Sequence, residues 1–300
     1  MSWRVWIWLL SLSVLWGGAF FFAKVALGEL GPFTVVFGRV SVAAVALTLC
    51  LLASSARAFA RPIPWRAYLC MGLLNNVIPF SLLNWAQLHI NSGLASIMNA
   101  TTPLFTLVVA HVLTADEKIN GRKAVALLCG LAGVAVLTGP SATAAPGGDL
   151  WGELACLGAA LSYALAGVYG RRFQAMGGTP ARTAAGQVIA SSVLILPIML
   201  IAERPWSLPT VPSLQVLAAI AALGLLTTAL GYVLYFRILA VAGATNLLLV
   251  TFLMPPVAIV LGAAFLAERL EPRHIAGLLM IGFGLAVMDG RIGRLLQAAK

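Results

Sequence analysis

One stretch of this sequence occurs twice. Residues 117–136 read EKINGRKAVALLCGLAGVAV and residues 268–287 read ERLEPRHIAGLLMIGFGLAV, which gives seven identities without a gap. Each copy starts with charged residues and continues as an apolar run suited to a membrane helix. Self-similarity at a fixed offset predicts a chain that arose by internal duplication.

The duplication extends over the whole chain. Further matches fall at offsets of 147 to 152 residues: Trp16 on Tyr163, Lys24 on Arg171, Pro32 on Pro180, Gly72 on Gly224, Asn75 and Asn76 on Thr227 and Thr228, and Pro103 on Pro255. We predict a single membrane domain over residues 1–300. It contains a first repeat at residues 1–140, a linker at residues 141–148 and a second repeat at residues 147–290.

Composition sets the class of protein. Hydrophobic residues make up 61% of the 300 and charged residues only 9%, and the mean hydropathy is +0.99. A soluble domain is about 25% charged, so the chain is an integral membrane protein rather than a soluble or disordered one. The four cysteines lie in apolar runs without metal-ligand spacing, which argues against a disulfide scaffold or a metal site.

Uncharged apolar runs give the number of spans. A helix needs about 20 apolar residues to cross a bilayer. Ten uncharged runs are candidates, of which the last is short but bounded by Arg273 and Asp289: residues 5–23, 40–56, 67–88, 92–115, 124–148, 154–170, 183–202, 205–236, 238–267 and 275–288. Each half has five spans, and an odd number inserts the two copies in opposite orientations. The sequence therefore predicts an all-α integral membrane protein with ten transmembrane helices arranged as two inverted five-helix repeats.

The positions of the cations explain the net charge of +10. With a cytoplasmic N-terminus, fourteen cations fall on the inner side: Arg4, Arg57, Arg61, Arg66, Lys118, Arg122, Lys123, Arg171, Arg172, Arg182, Arg237, Arg291, Arg294 and Lys300. The outer side has four: Lys24, Arg204, Arg269 and Arg273. This asymmetry predicts that both termini are cytoplasmic. The basic balance is a topology signal, so we expect the lipid bilayer and no nucleic acid among the partners.

Inverted repeats are typical of secondary transporters, which bind solute between the two halves and work by alternating access. The segment LWGGAFFFAK at residues 15–24, the run SIMNATTP at residues 96–103 followed by Asp116-Glu117-Lys118, and LMPP at residues 253–256 followed by Glu268-Arg269-Leu270 resemble EamA-type members of the drug/metabolite transporter superfamily. The resemblance covers about residues 6 to 290. It implies a multi-pass protein of the bacterial inner membrane that exports amino acids or related small metabolites. The aromatic complement is similar to that of the YddG-like exporters of aromatic and other neutral amino acids.

Polar side chains inside spans usually face a bundle interior or a wet cavity, and aromatic residues at repeat-equivalent positions can flank a central site. On this basis the candidate substrate-binding residues are Trp16, Phe20, Asn76, Phe80, Asn84, Trp85, Asn99, Thr102, Tyr163, Thr228 and Tyr232. The alternatives are hydrogen bonding between helices for the polar residues and packing for the aromatic ones.

Prolines at matching places in the two halves point to helix breaks beside a binding region. They are Pro103 in the first half and Pro255 and Pro256 in the second. Arg39 lies inside the second span and is the charge candidate: it holds a substrate carboxylate or neutralises helix-terminal carbonyls. Lys24 is expected to snorkel from the end of a helix to the membrane surface.

The acidic residues all lie near span ends, which leaves no mid-membrane carboxylate for a proton relay. This favours a facilitator or weakly coupled carrier. The alternatives are a carrier of another metabolite class, such as sugars, nucleotide precursors or drugs, and a channel. The sequence shows neither a nucleophilic side chain with a general base nor a group of metal-ligating residues. We therefore expect that the protein is not an enzyme and binds no cofactor. Small residues in the fifth and tenth spans pack the repeats together or form a dimer face, which leaves a monomer or a homodimer: Ala126, Gly130, Gly133, Gly277 and Gly284.

Overall fold

The fold was taken from a computed structural model, which describes residues 2–54, 64–115, 118–138, 148–176, 179–208, 210–247 and 249–289. Several predicted features lie outside these ranges: the Asp116-Glu117 pair, most of the linker at residues 141–148, and the cations Arg57, Arg61, Arg291, Arg294 and Lys300. Within the described residues the chain is helical and has no strand.

Ten membrane helices can be followed through the described residues. They are α1 (Trp3–Ala26), α2 (Pro32–Ser54), α3 (Trp65–Ala86), α4 (Ser92–Leu113), α5 (Gly121–Thr138), α6 (Gly148–Gly170), α7 (Pro180–Ala202), α8 (Leu214–Gly243), α9 (Leu249–Phe265) and α10 (Pro272–Asp289). Seven of them are long and apolar enough to cross a bilayer by length and composition. Two short elements, the helix Arg172–Ala175 and the 3₁₀ turn Pro205–Ser207, lie in connections.

Three helices are irregular. α3 contains a π-helical segment at Leu73–Val77, and α8 contains one at Ala222–Leu230. α4 consists of Ser92–Asn99 and Thr102–Leu113 with a turn between them. These irregularities lie in the third, fourth and eighth helices, next to the polar residues described below.

The boundary between α8 and α9 lies at Gly243. The sequence places both Arg237 and Gly243 between these two spans, and α8 continues past Arg237 and ends at Gly243, whose φ is 77°. Only glycine adopts this left-handed conformation without strain, so the backbone turns there. Arg237 is exposed and near the end of the helix, where its long side chain can extend toward polar surroundings.

Helix contacts follow the internal duplication. α2 packs against its repeat mate α7, and α5 packs against its mate α10. Each of the other large contacts has a counterpart in the opposite repeat. The contact of α1 with α9 corresponds to that of α6 with α4, the contact of α3 with α7 corresponds to that of α8 with α2, and the contact of α3 with α6 corresponds to that of α8 with α1. Exchanging the two halves leaves this pattern unchanged. Because each half crosses the membrane five times, the two copies have opposite orientations.

Close packing at glycines shows the same exchange. A Cβ on Gly72 would lie 2.8 Å from the Gln187 carbonyl oxygen, and one on Gly224 would lie 3.0 Å from the Arg39 carbonyl oxygen. Gly72 and Gly224 match in the two repeats, and so do Gln187 and Arg39. These contacts hold α3 against α7 and α8 against α2 at equivalent points.

Candidate functional site

Polar side chains from four helices meet where the two repeats join. We call Arg39, Asn75, Asn76, Gln187, Thr228 and Tyr232 the central polar cluster; they belong to α2, α3, α7 and α8. Helices α2 and α7 are repeat mates, and so are α3 and α8. The cluster therefore draws equivalent helices from both halves.

The π-helical segments place part of this cluster. They lie at equivalent positions, since Asn75 and Asn76 in α3 match Thr227 and Thr228 in α8. A π-helical turn includes one more residue than an α-helical turn and is common at functional sites. Asn76 and Thr228 are 0% and 1% exposed, so each segment directs a polar side chain into the interior.

Tyr232 is the centre of the hydrogen bonds. Its hydroxyl donates to Asn76 Oδ1 at 2.8 Å and accepts from Asn75 Nδ2 at 3.1 Å. Asn75 Nδ2 also donates to Gln187 Oε1 at 3.1 Å, and Asn76 Nδ2 donates to Ser191 Oγ at 2.9 Å. One phenol thus connects α8 to α3, and the two amides connect α3 to α7.

Arg39 lies on the other side of this cluster. Its Nε donates to Thr228 Oγ1 at 2.8 Å, and its guanidinium carbon lies 3.7 Å from the centroid of the Phe80 ring. Tyr163 and Tyr232 are its electrostatic neighbours. The guanidinium therefore lies between the Phe80 ring of α3 and the Thr228 hydroxyl of α8.

Trp16 and Tyr163 are repeat mates on α1 and α6. Trp16 Nε1 donates to the Thr227 carbonyl at 3.1 Å, and its indole lies 5.7 Å from the Tyr235 ring. Tyr163 packs on the cluster of apolar side chains that includes Phe80, and no described residue pairs with its hydroxyl. Both aromatic residues are partly buried, and they come from opposite repeats.

Three other predicted residues lie away from Arg39. Phe20 is 6% exposed and packs in the largest apolar core. Asn84 is buried and donates to the Pro32 carbonyl at 3.3 Å, which joins α3 to the start of α2. Trp85 is 39% exposed, and its ring lies 4.2 Å from that of His89 near the end of α3. The structure thus does not bring Trp85 to the central polar cluster.

Asn99 and Thr102 lie at the turn inside α4. Thr102 Oγ1 donates to the Asn99 carbonyl at 2.7 Å, and the Asn99 side-chain oxygen has no hydrogen-bond partner within the described ranges. Pro103 is the second residue of the second part of α4, which begins at Thr102 directly after the turn. A proline cannot donate to the carbonyl one turn earlier, which is that of Asn99.

The matching prolines of the second repeat do not break their helix. Pro255 and Pro256 lie inside α9, which continues without interruption from Leu249 to Phe265. Proline is tolerated within membrane helices when neighbouring groups satisfy the carbonyls it leaves open. The predicted helix break is therefore seen only in the first repeat.

Sequence reasoning missed two residues of the central polar cluster, Asn75 and Gln187. The signal was present in the duplication, because Gln187 matches Arg39 at the offset of 148 residues that relates Pro180 to Pro32. Asn75 was matched to Thr227, but Asn76, Phe80 and Asn84 share one helical face because they are spaced four residues apart, and Asn75 does not lie on that face. The π-helical segment explains this, since it breaks the ordinary helical periodicity at that point.

Polar contacts also gather at one end of the bundle, where α1, α3, α7 and α9 end. Lys24 Nζ donates to the carbonyls of Gln87 and Ile90 at the end of α3. Lys24 was expected to snorkel, but it turns inward because the last carbonyls of a helix lack internal partners. The lysine thus caps α3.

Two carboxylates act at the same end. Glu203 after α7 accepts from the backbone N–H groups of Phe33 and Thr34 at 2.8 and 2.7 Å, where α2 begins. Glu268 after α9 accepts from the Ser92 N–H at 3.0 Å and from its hydroxyl at 2.7 Å, where α4 begins. Both carboxylates are anions at helix N-termini, which is a favourable position. We call Lys24, Glu203 and Glu268, with their partners, the end latch.

Glu29 makes a further link at this end. Its carboxylate accepts from the Ser213 N–H at 2.7 Å, and hydrogen bonds from Ser213 lower the pKa of Glu29 below its usual value. The bond joins the connection after α1 to the start of α8. Glu29 is exposed, so water competes for it.

Comparisons with known proteins agree with the duplicated fold. The EamA-like transporter family matches residues 3–139 and again residues 150–288. The uncharacterized transporter YoaV of Bacillus subtilis is 26% identical over 287 residues, covering 94% of this chain and 95% of that protein. The uncharacterized inner membrane transporter YedA of Escherichia coli is 27% identical over 296 residues, covering 97% and 92%.

One solved structure shares the fold. Its TM-score is 0.68 at 18% sequence identity, and the match covers 98% of this chain and 99% of that one.

Proposed function

The chain belongs to the EamA-like transporter family, and from this premise we propose that it exports amino acids, with neutral and aromatic ones favoured, or related small metabolites. It does so across the bacterial inner membrane by alternating access. The observation that carries this proposal is the central polar cluster: a cation, neutral amides and hydroxyls, and aromatic rings meet between two inverted repeats.

The chemistry of the cluster suits a small zwitterion. Amides and phenols both donate and accept hydrogen bonds, so they can bind a carboxylate and an ammonium group at once. Trp16 and Tyr163 add aromatic surface from opposite repeats, and such rings can pack an apolar or aromatic side chain. A sugar would use the hydroxyls and amides but would leave the buried guanidinium of Arg39 without an anion.

The positions of the carboxylates support a facilitator. Among described residues, Glu203 and Glu268 bind helix N-termini in the end latch, and Glu29 and Glu271 are exposed in connections. Glu153 is 2% exposed, but it lies near the start of α6, where the neighbouring Gly152 faces Ile90 and His89 at the end of α3. None of these groups lies beside the central polar cluster, where a proton-coupled carrier would place its titrating carboxylate.

The test is counterflow in proteoliposomes that contain the purified full chain. Vesicles loaded with unlabelled solute are diluted into labelled L-phenylalanine or L-leucine, and the panel extends to sugars and quaternary amines. Transient accumulation of the labelled amino acid, with saturation, is the expected result. Empty liposomes are the control.

Two outcomes would overturn the proposal. Counterflow of a sugar or quaternary amine without any of an amino acid would assign another substrate class, and unsaturable conductance would indicate a channel. Sustained accumulation of solute driven by an imposed pH step would contradict the facilitator.

A further inference from the structure

Arg39 is the point at which the central polar cluster departs from the symmetry of the repeats. Its repeat mate is Gln187, and the mate of Phe80 beneath it is Tyr232. Arg39 lies over the Phe80 ring on one side, while Gln187 and Tyr232 share Asn75 on the other. The two halves therefore place equivalent side chains in the cluster, but the position that carries a positive charge in the first repeat carries a neutral amide in the second.

This charge is not neutralised within the described part of the chain. No described carboxylate pairs with Arg39; its neighbours are the Thr228 hydroxyl, the Phe80 ring and two phenols. An ionised side chain within a membrane bundle is costly and usually marks a substrate or ion pathway. The Phe80 ring offsets part of this cost by a cation–π interaction, but it brings no negative charge to the guanidinium.

The geometry of the guanidinium identifies the missing partner. Arginine has five N–H donors, and Thr228 accepts from the one on Nε. The donors on the two Nη atoms form a fork that fits the two oxygens of a carboxylate. Tyr163 packs on the apolar cluster that contains Phe80, the ring that lies against the guanidinium. Among described residues nothing pairs with the Tyr163 hydroxyl.

We propose that Arg39 and Tyr163 form an anion subsite that binds the carboxylate of the transported solute. The proposal rests on the proposed function in that a solute occupies the space between the repeats. Because the positive charge is on one side only, it orients the solute: the carboxylate binds at Arg39, and the remainder points toward Gln187, Tyr232 and Trp16. Amines, alcohols and amides without a carboxylate are selected against.

The experiment measures how solutes compete with labelled L-phenylalanine in proteoliposome counterflow. The competitors share a phenyl group and differ in charge: L-phenylalanine, L-phenylalaninamide, phenethylamine and 3-phenylpropionate. The proteins are the wild type, Arg39→Gln, Arg39→Lys and Tyr163→Phe. Arg66→Gln is the matched control, because Arg66 is an exposed arginine near the start of α3.

In the wild type and in Arg66→Gln, L-phenylalanine should compete better than its amide. Arg39→Gln places the glutamine of the repeat mate at this position and should weaken competition by L-phenylalanine by about 10- to 100-fold, as expected for a charge-assisted hydrogen-bonded pair. Competition by the amide should change by less than about threefold. Tyr163→Phe should show a smaller loss in the same direction, of about three- to tenfold.

If Arg39→Gln is not recovered as a folded protein by size exclusion, Arg39→Lys decides the matter. Lysine keeps the charge but lacks the planar fork. Arg39→Lys should therefore weaken competition by L-phenylalanine more than competition by L-phenylalaninamide. An unchanged preference for carboxylates in either arginine variant overturns the subsite.

The two proposals fail separately. If the wild type exchanges 3-phenylpropionate but no amino acid, and Arg39→Gln loses this exchange, the result supports the subsite and overturns amino-acid export. A wild type that exchanges L-phenylalanine, with the same selectivity in Arg39→Gln, supports export and overturns the subsite.

Discussion

Tyr232 shows how much can depend on one hydroxyl. It accepts from Asn75 and donates to Asn76, and Asn76 is fully buried. A phenylalanine at this position would leave the Asn76 side-chain oxygen without its donor. An unpaired buried acceptor costs about 1–3 kcal/mol.

We therefore expect Tyr232→Phe to lower the melting temperature of the detergent-solubilised protein and to reduce counterflow. Tyr235→Phe is the matched control, since Tyr235 contacts Trp16 and Phe236 through its ring, which the substitution retains. Equal melting temperatures for the two variants would show that the hydroxyl of Tyr232 contributes no stability.

Glu29 predicts a pH dependence at the end of the bundle. Its pKa is lowered in the folded protein by Ser213, so its contribution to stability is fully present above the unfolded pKa of about 4.3. That contribution is lost as the pH falls through the folded pKa. When the pH is lowered from about 6 to about 3, the melting temperature of Glu29→Gln should therefore fall by less than that of the wild type.

Arg204→Gln is the control for this comparison, because it changes a charge in the nearby connection without removing a carboxylate. It should follow the pH dependence of the wild type. If Glu29→Gln does so too, the bond to Ser213 does not stabilise the folded state.

The site residues show which signals a sequence carries. Asn76, Phe80, Thr228 and Tyr232 were predicted because polar and aromatic residues in apolar runs are unusual, and the structure brings all four to the surroundings of Arg39. The partner of Arg39 was not predictable from local sequence, since Thr228 is 189 residues away. The position of Trp85 was missed because helical periodicity does not say how far along a helix the interior extends.

At the scale of elements, the small residues of α5 and α10 pack these two helices against each other. A Cβ on Gly133 would lie 3.0 Å from the Gly277 carbonyl oxygen and 2.8 Å from Ile281 Cγ1. A Cβ on Gly284 would lie 2.8 Å from the Ala126 carbonyl oxygen. The surfaces of these glycines are therefore in contact with a helix of the same chain, and they let the repeat mates α5 and α10 approach closely.

Gly133→Ala should force α5 and α10 apart at backbone atoms and destabilise the protein by about 1–3 kcal/mol. Gly167→Ala in α6 is the matched control, because nothing lies within 4 Å of its added Cβ. Alanine in an open helical position is neutral or stabilising by about 0.5–1 kcal/mol. Thermal melts of the two variants should shift in different directions, and equal shifts would contradict this packing.

Elements also divide into those that pattern predicts and those that packing determines. The number of helices and their duplication follow from apolar length and from matched residues such as Gly72 and Gly224, because both are properties of the chain itself. The π-helical segments and the continuous α9 depend on how neighbouring helices satisfy backbone groups. Residue types alone did not show that Pro103 follows a break while Pro255 lies within a helix.

At the scale of the whole molecule, the end latch links the repeats on one side. Glu203 joins the end of α7 to the start of α2, and Glu268 joins the connection after α9 to α4, so both carboxylates link different halves. Lys24 joins α1 to the end of α3 within the first half. The charge distribution predicts that this end is extracytoplasmic. Under the alternating access that we propose, such links have to break when the protein opens on that side. We therefore expect the end latch to hold that end closed.

Weakening the latch should therefore shift the protein toward the state that is open to the outside. Glu203→Gln with Glu268→Gln replaces both anions at helix N-termini by neutral amides, which lose their interaction with the helix dipole. The population is read from labelling of Asn99→Cys, in a protein without its native cysteines, by a membrane-impermeant maleimide added to intact cells. We expect labelling to accelerate by about three- to thirtyfold, since each of the two end charges contributes about 0.3–1 kcal/mol. Glu271→Gln is the control, because Glu271 pairs with Arg273 in its own segment at 2.7 Å; equal labelling rates in all the proteins would show that the latch does not hold that end closed.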